Sequence, residues 1–186
     1  MRIGLISDTH GNLDGWQQAW DLVLKDADII IHCGDVLYHG PKFTPAPGYA
    51  PQKLAQAINE VSVPVLIARG NGDSQVDQLV LDVPLQQPHL LVQWEGMRLL
   101  ATHGHLLPTD EIVELGQKWS IDHLITGHSH VPAVEQLGEV VHVNPGTVTY
   151  PLAEEENLQR LTCGVITDEG VQILDIVRGE ELDLCY

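Results

Sequence analysis

The sequence predicts an α/β fold in which two mixed β-sheets pack face to face with helices on the outside. Three observations predict it. In the first half, short apolar runs alternate with stretches of helical periodicity, which is the pattern of β-α-β units. Ile29-Ile30-Ile31 shows no polar alternation, so it reads as a strand buried on both faces, as in a parallel sheet. In the second half, strand-like runs come in pairs around tight turns, so hairpins must join the parallel strands.

The elements follow in order. Ile3 to Ser7 is the first strand, and Asn12 is an N-cap for a helix carrying Trp16, Ala19, Trp20, Val23 and Leu24 at helical spacing. The strand at Ile29 follows. Residues 37–51 hold four prolines (41, 45, 47 and 51) and form a loop, with a helix from Gln52 to about Val61 behind it. Val65 to Ala68 is the third strand. His89 to Trp94 and Met97 to Thr102 pair around Glu95-Gly96; Thr109 caps a helix to about Trp119; Asp122 to Thr126 is a further strand. Two more hairpins join Ala133–Gln136 to Glu139–Val143, and Leu161–Thr167 to Val171–Val177. No repeat or linker interrupts the chain, so residues 1–186 read as a single domain with an acidic, peripheral tail from Gly179.

Composition excludes several classes. The formal charge of −17 opposes binding to nucleic acid or an anionic membrane over most of the surface. Nothing resembles a signal peptide or a membrane span, and Cys33, Cys163 and Cys185 are too few and too scattered for a disulfide framework. A cytoplasmic protein with reduced thiols is the expectation. No P-loop and no nucleophile-elbow serine are present.

Five apolar runs end in polar residues of one chemical kind. They deliver Asp8 and His10, Asp35, Asn71, His103, and His128 with His130 to the carboxyl ends of strands, where open α/β folds place their ligands. Two Asp, one Asn and four His at one place are the inventory of a two-metal site. Taken singly, each His reads as well as a structural residue; the joint placement makes the case.

These motifs resemble the calcineurin-like metallophosphoesterases: Asp8-Thr-His10, Gly34-Asp35, Gly70-Asn71, His103 and Gly127-His128-Ser-His130 stand in that family's order. Residues 34–41, 48–51, 69–78 and 102–106, with Asn144-Pro-Gly146, are similar to the small bacterial YfcE-type phosphodiesterases. The resemblance implies a four-layer α/β/β/α fold and hydrolysis of a small-molecule phosphodiester. It implies one metal on Asp8, His10, Asp35 and His130, and a second on Asp35, Asn71, His103 and His128, with Asp35 shared. Two dications about 3.5–4 Å apart lower the pKa of a water held between them. The mixed oxygen and nitrogen ligand set suits Mn²⁺, Fe²⁺, Zn²⁺ or Ni²⁺, and the resemblance favours Mn²⁺.

In many relatives a histidine follows the Asn ligand; here that residue is Gly72, as YfcE-type proteins also lack it. His39 and His105 are the candidates for the acid that protonates a leaving group, Asp73 for a carboxylate that orients a ligand histidine, and Asn12 for a phosphate donor if it does not cap its helix. His32, His89, His123 and His142 read as structural. The alternatives within the resemblance are a scaffold, as in the related retromer subunit, and a nuclease; a complete ligand set opposes the first and the acidic composition the second. A homo-oligomer is compatible with the hairpin strands.

Overall fold

The computed structural model describes residues 1–184, so Cys185 and Tyr186 lie outside the described residues, as does the Thr109 side chain. The six-stranded sheet is built on β1 (Arg2–Ile6), β2 (Ile29–His32), β3 (Val65–Ala68) and β4 (Leu85–Gln86), all parallel. The antiparallel hairpin β10 (Thr162–Thr167) and β11 (Gly170–Asp175) extends it beyond β1. In the five-stranded sheet, β6 (Met97–Ala101), β7 (His123–Ile125) and β9 (Val140–Asn144) run parallel. Here β5 (Leu90–Trp94) and β8 (Ala133–Leu137) form its antiparallel edges.

Period-two alternation explains why the sheets stack. Ile29 and Ile31 join Ile3 and Leu5 in a core shared with Leu99, Ala101, Ile125 and Val143 of the other sheet. Ile30, one residue out of phase, enters the outer core with Ile6, Ile67, Trp16, Ala19, Leu54 and Ile58. The three consecutive isoleucines thus serve two cores, which is why no polar residue could interrupt them. On the far face Leu100, Leu124 and Val140 receive Ile112 and Val113. These are contributed by the helices: α1 (Leu13–Leu22) and α2 (Pro51–Glu60) cover the first sheet, and α3 (Thr109–Lys118) covers the second.

Some boundaries differ from those the sequence suggests. Asn12 does cap α1, accepting the Gly15 N–H at 3.1 Å, but Val23 and Leu24 fall beyond its end and bury through a short 3₁₀ turn. Pro51 is the first residue of α2 rather than the last of the loop, since its fixed φ and missing N–H suit that position. Pro108 occupies the cap position of α3 without a side-chain hydrogen bond, and Thr109 begins the helix. The strand β4 was not legible, because two residues carry no periodicity. Among the described residues, no helix is long and apolar enough to cross a membrane.

Candidate metal centre

Every sequence-predicted ligand arises where a parallel strand stops. The loop after β1 carries Asp8 and His10, that after β2 Asp35, that after β3 Asn71, that after β6 His103, and that after β7 His128 and His130. Backbone hydrogen bonds tie the first two loops together: Asp8 N–H to Gly34 O (3.0 Å), His10 N–H to Asp35 O (2.9 Å) and Gly11 N–H to Val36 O (2.8 Å). The backbone turns through the left-handed region at Asp8, His10, Asp35, His128 and His130, with φ between 44° and 67°. Asp, Asn and His tolerate that region better than other side chains, but each such residue still holds strain. Five strained residues of one site mark loops over-determined by their surroundings.

Backbone carbonyls fix the imidazoles. His10 Nδ1 lies 2.7 Å from Tyr38 O, His103 Nδ1 2.6 Å from Cys33 O, and His130 Nδ1 2.7 Å from Tyr150 O. A carbonyl only accepts, so each Nδ1 carries a proton and each Nε2 is the ring atom turned to the centre. The Nε2 atoms of His10 and His130 are 3.2 Å apart, and His130 Nε2 is 3.2 Å from Asp8 Oδ1. On the other side His103 Nε2 lies 3.1 Å from Asn71 Oδ1, 3.2 Å from His128 Nδ1 and 3.5 Å from Asp35 Oδ1. The remaining Asp35 oxygen, Oδ2, is 3.8 Å from His10 Nε2, so its carboxylate faces both groups.

This donor set fits divalent cations. Asp8 Oδ2 is satisfied by the Ser7 hydroxyl (2.5 Å) and the His128 N–H (3.0 Å), whereas Oδ1 is buried without a hydrogen-bond donor among the described residues. A buried carboxylate oxygen without a hydrogen bond, beside ring nitrogens turned to the same point, is an atom that a cation satisfies well. Ligand atoms of Asp8, His10 and His130, and of Asp8, Asp35 and His103, lie within 4.8 Å of one another. Both groups include Asp8, whereas the resemblance had implied Asp35 as the shared residue; the two Asp35 oxygens facing opposite sides keep that role open to it.

Electrostatics follow from burial. Burial works to raise the Asp8 carboxyl, but the His130 contact and neighbouring imidazoles outweigh it and hold it at about 2. Burial pushes His10 down, and pushes His32, which is wholly enclosed, down to about 3. The His32 ring accepts the Gly34 N–H at Nδ1 (3.0 Å) and donates from Nε2 to Thr9 Oγ1 (3.0 Å), so this structural histidine braces the Asp35 loop against the Asp8 loop.

The four candidates outside the ligand set separate. His39 lines a cavity of about 290 Å³ above the centre together with His10, Asp35, Asn71, Gly72, His128 and His130. His105 does not line it: its ring packs on His103 (5.2 Å) and His128 (6.1 Å). Among the described residues, the Asp73 carboxylate is hydrogen-bonded to no histidine ring. The carboxylate is buried and takes three backbone N–H groups, those of Asp35 (2.9 Å), Val36 (2.7 Å) and Gly70 (2.8 Å). It therefore pins the Asp35 turn to the Asn71 turn, correcting the expectation that it orients a ligand imidazole. Asn12 takes the capping role, accepting the Gly15 N–H, and donates to Val148 O (3.1 Å).

Sequence reasoning missed the carbonyls of Cys33, Tyr38 and Tyr150 and the ring of Phe43, which also lines the cavity. A carbonyl's aim leaves no trace in residue type.

Two stacked mixed sheets with a carboxylate-and-imidazole centre at the strand ends define a metallohydrolase-type architecture. Comparison with known proteins gives the family. Residues 1–167 match the Calcineurin-like phosphoesterase superfamily domain. The chain is 41% identical over 152 residues to phosphodiesterase YfcE of Escherichia coli K12, covering 81% of each sequence. The solved structure of that E. coli phosphoesterase superposes with a TM-score of 0.84 at 32% identity, covering 98% of this chain and 97% of the other. Vps29 of Cryptosporidium parvum shares the fold, with a TM-score of 0.68 at 18% identity over 97% of this chain and 93% of its own. The chain belongs to the calcineurin-like phosphoesterase superfamily.

Proposed function

We propose that the protein is a metal-dependent phosphodiesterase in which Asp8, His10, Asp35 and His130 hold one divalent cation and Asp35, Asn71, His103 and His128 a second. The observation that carries the reading is the unpartnered Asp8 Oδ1 facing Nε2 atoms whose direction is set by Nδ1–carbonyl bonds. The family supports phosphoester chemistry, and YfcE, a relative named a phosphodiesterase, supports a diester substrate. Divalent cations supply a water nucleophile near neutral pH and positive charge for phosphoryl oxygens; Mn²⁺ is our first choice.

The chain's own part is orientation and proton supply. The Gly72 N–H donates to Asp35 Oδ1 at 2.7 Å and keeps that carboxylate turned into the centre. Residue 72 has no side chain to act as an acid, so protonation of the leaving oxygen falls to His39, the candidate that lines the cavity. The cavity suits a small molecule rather than a polymer, and the −17 charge agrees.

The test is hydrolysis of a chromogenic phosphodiester and its matching monoester by metal-stripped protein, with and without Mn²⁺, alongside Asp35→Asn and His128→Ala. Diester hydrolysis that needs Mn²⁺ and drops at least 100-fold in both variants is expected, a loss of about 2.7 kcal/mol of transition-state stabilisation. Wild-type protein that binds Mn²⁺ by calorimetry yet hydrolyses neither ester would refute the reading and put the scaffold role ahead.

A further inference from the structure

The cavity above the centre is ionic on its floor and flat-ringed on its wall. Phe43 stands with its centroid 5.9 Å from the His130 ring and 6.1 Å from the His10 ring, so it is in van der Waals reach of whatever is joined to a phosphorus held by those residues. Its ring is not free to wander. It stacks on Tyr150 at 4.3 Å with an interplanar angle of 9°. The Tyr150 hydroxyl donates to Thr44 O (2.8 Å) and accepts the Ala46 N–H (3.1 Å), clamping the chain that follows Phe43. Tyr150 O also receives the His130 Nδ1–H, so one residue fixes both the ring and a centre imidazole. Lys42, Leu152 and Tyr38 line the same cavity, and Lys42 is the one lysine or arginine among its described lining residues.

From this we infer that Phe43, held by Tyr150, is the specificity-determining platform of the site, and that the preferred substrate carries a planar unsaturated ring on its phosphate. The inference rests on the proposed phosphodiesterase reading and names its substrate class. A clamped ring meets its ligand without losing rotamer freedom on binding, so flat-on-flat contact contributes to affinity rather than to ordering the wall. An alkyl substituent covers less of the ring and gains less. A single positive side chain in so acidic a protein accompanies the phosphate and does not demand a second anionic group.

Calorimetric titration of Mn²⁺-loaded protein with paired phosphorus compounds tests this. Phenylphosphonate against methylphosphonate reports an aryl ring at phosphorus; AMP against ribose 5-phosphate reports a nucleobase one sugar further out. In wild type at least one ring-bearing member binds about tenfold tighter, equivalent to about 1.4 kcal/mol. The ratio falls to near one in Phe43→Ala and in Phe43→Leu, which keeps apolar packing without the flat ring, and returns in Phe43→Tyr. Both ratios near one in wild type, or a ratio that survives Phe43→Leu, overturns the platform while leaving the phosphodiesterase reading intact. Failure of all four compounds to bind metal-loaded protein overturns the platform, and the phosphodiesterase reading falls with it when the chromogenic diester is not hydrolysed either.

Discussion

Replacing Asp73 tests how the Asp35 and Asn71 loops are held together. In Asp73→Ala the N–H groups of Asp35, Val36 and Gly70 lose their acceptor in a place that is 4% exposed. Each orphaned amide costs about 1–3 kcal/mol, which sums to about 3–9. Two effects pull the total to the low end. Burial raises the Asp73 carboxyl, so part of what its hydrogen bonds contribute already offsets desolvation, and the space vacated by a carboxylate admits a water that serves some of the amides. A loss of about 3 kcal/mol is expected from urea unfolding of metal-free protein, where bound cations add no stability of their own. Asp73→Asn keeps one acceptor oxygen and falls between. The Mn²⁺ affinity of Asp73→Ala, by calorimetry, drops with it because the Asp35 and Asn71 turns are no longer pinned. A stability loss under about 1 kcal/mol with unchanged metal affinity would refute the role, since a solvated turn residue behaves that way.

Two further outcomes follow from the same loops. His32 is held at about 3 against 6.5 in the unfolded chain, so between those values the unfolded state binds the extra proton and stability falls as pH falls. The linkage comes to about 2 kcal/mol lost between pH 7 and pH 5, and the stability gap between wild type and His32→Gln in urea should narrow by that amount; a gap independent of pH would contradict a neutral, buried His32. Gly34→Ala would set a Cβ 2.5 Å from Gly70 N and 2.6 Å from Ala68 O at a φ of +92°, with backbone on both sides, so it should cost upwards of about 3 kcal/mol in thermal unfolding. A melting temperature within a few degrees of wild type would show that the two turns are looser than they look.

Much of this was legible from residue order alone. The Ile29–Ile31 run announced a strand with two cores because an unbroken apolar run offers neither face to water, and both cores are there. The Gly34 turn and the polar residues that end five apolar runs announced the centre, since strand ends of parallel sheets are fixed points of the topology. What escaped were features set by loop conformation. Asp73 looked like a histidine's partner because a carboxylate near ligands usually is one; only the fold shows three amides converging on it. Tyr150 and Phe43 are 107 residues apart and lie in loops without periodicity, so nothing short of tertiary structure pairs them. The edge strand β4 is specified by its pairing with β3 and by nothing in its own two residues.

The left-handed turns at Asp8, His10, Asp35, His128 and His130 restrict the chemistry this chain could ever acquire. Asp, Asn and His are the non-glycine residues that sit there at least cost, and they are also oxygen and nitrogen ligands. A glutamate, threonine or cysteine introduced at these positions meets backbone strain first, so conversion to a thiolate or glutamate-rich site requires rebuilding loops rather than exchanging side chains. Loss is cheaper than conversion. Asn or Gly can replace any of these five residues with the turn preserved, so a descendant of this fold has an open route to keeping the architecture while losing the converging donors.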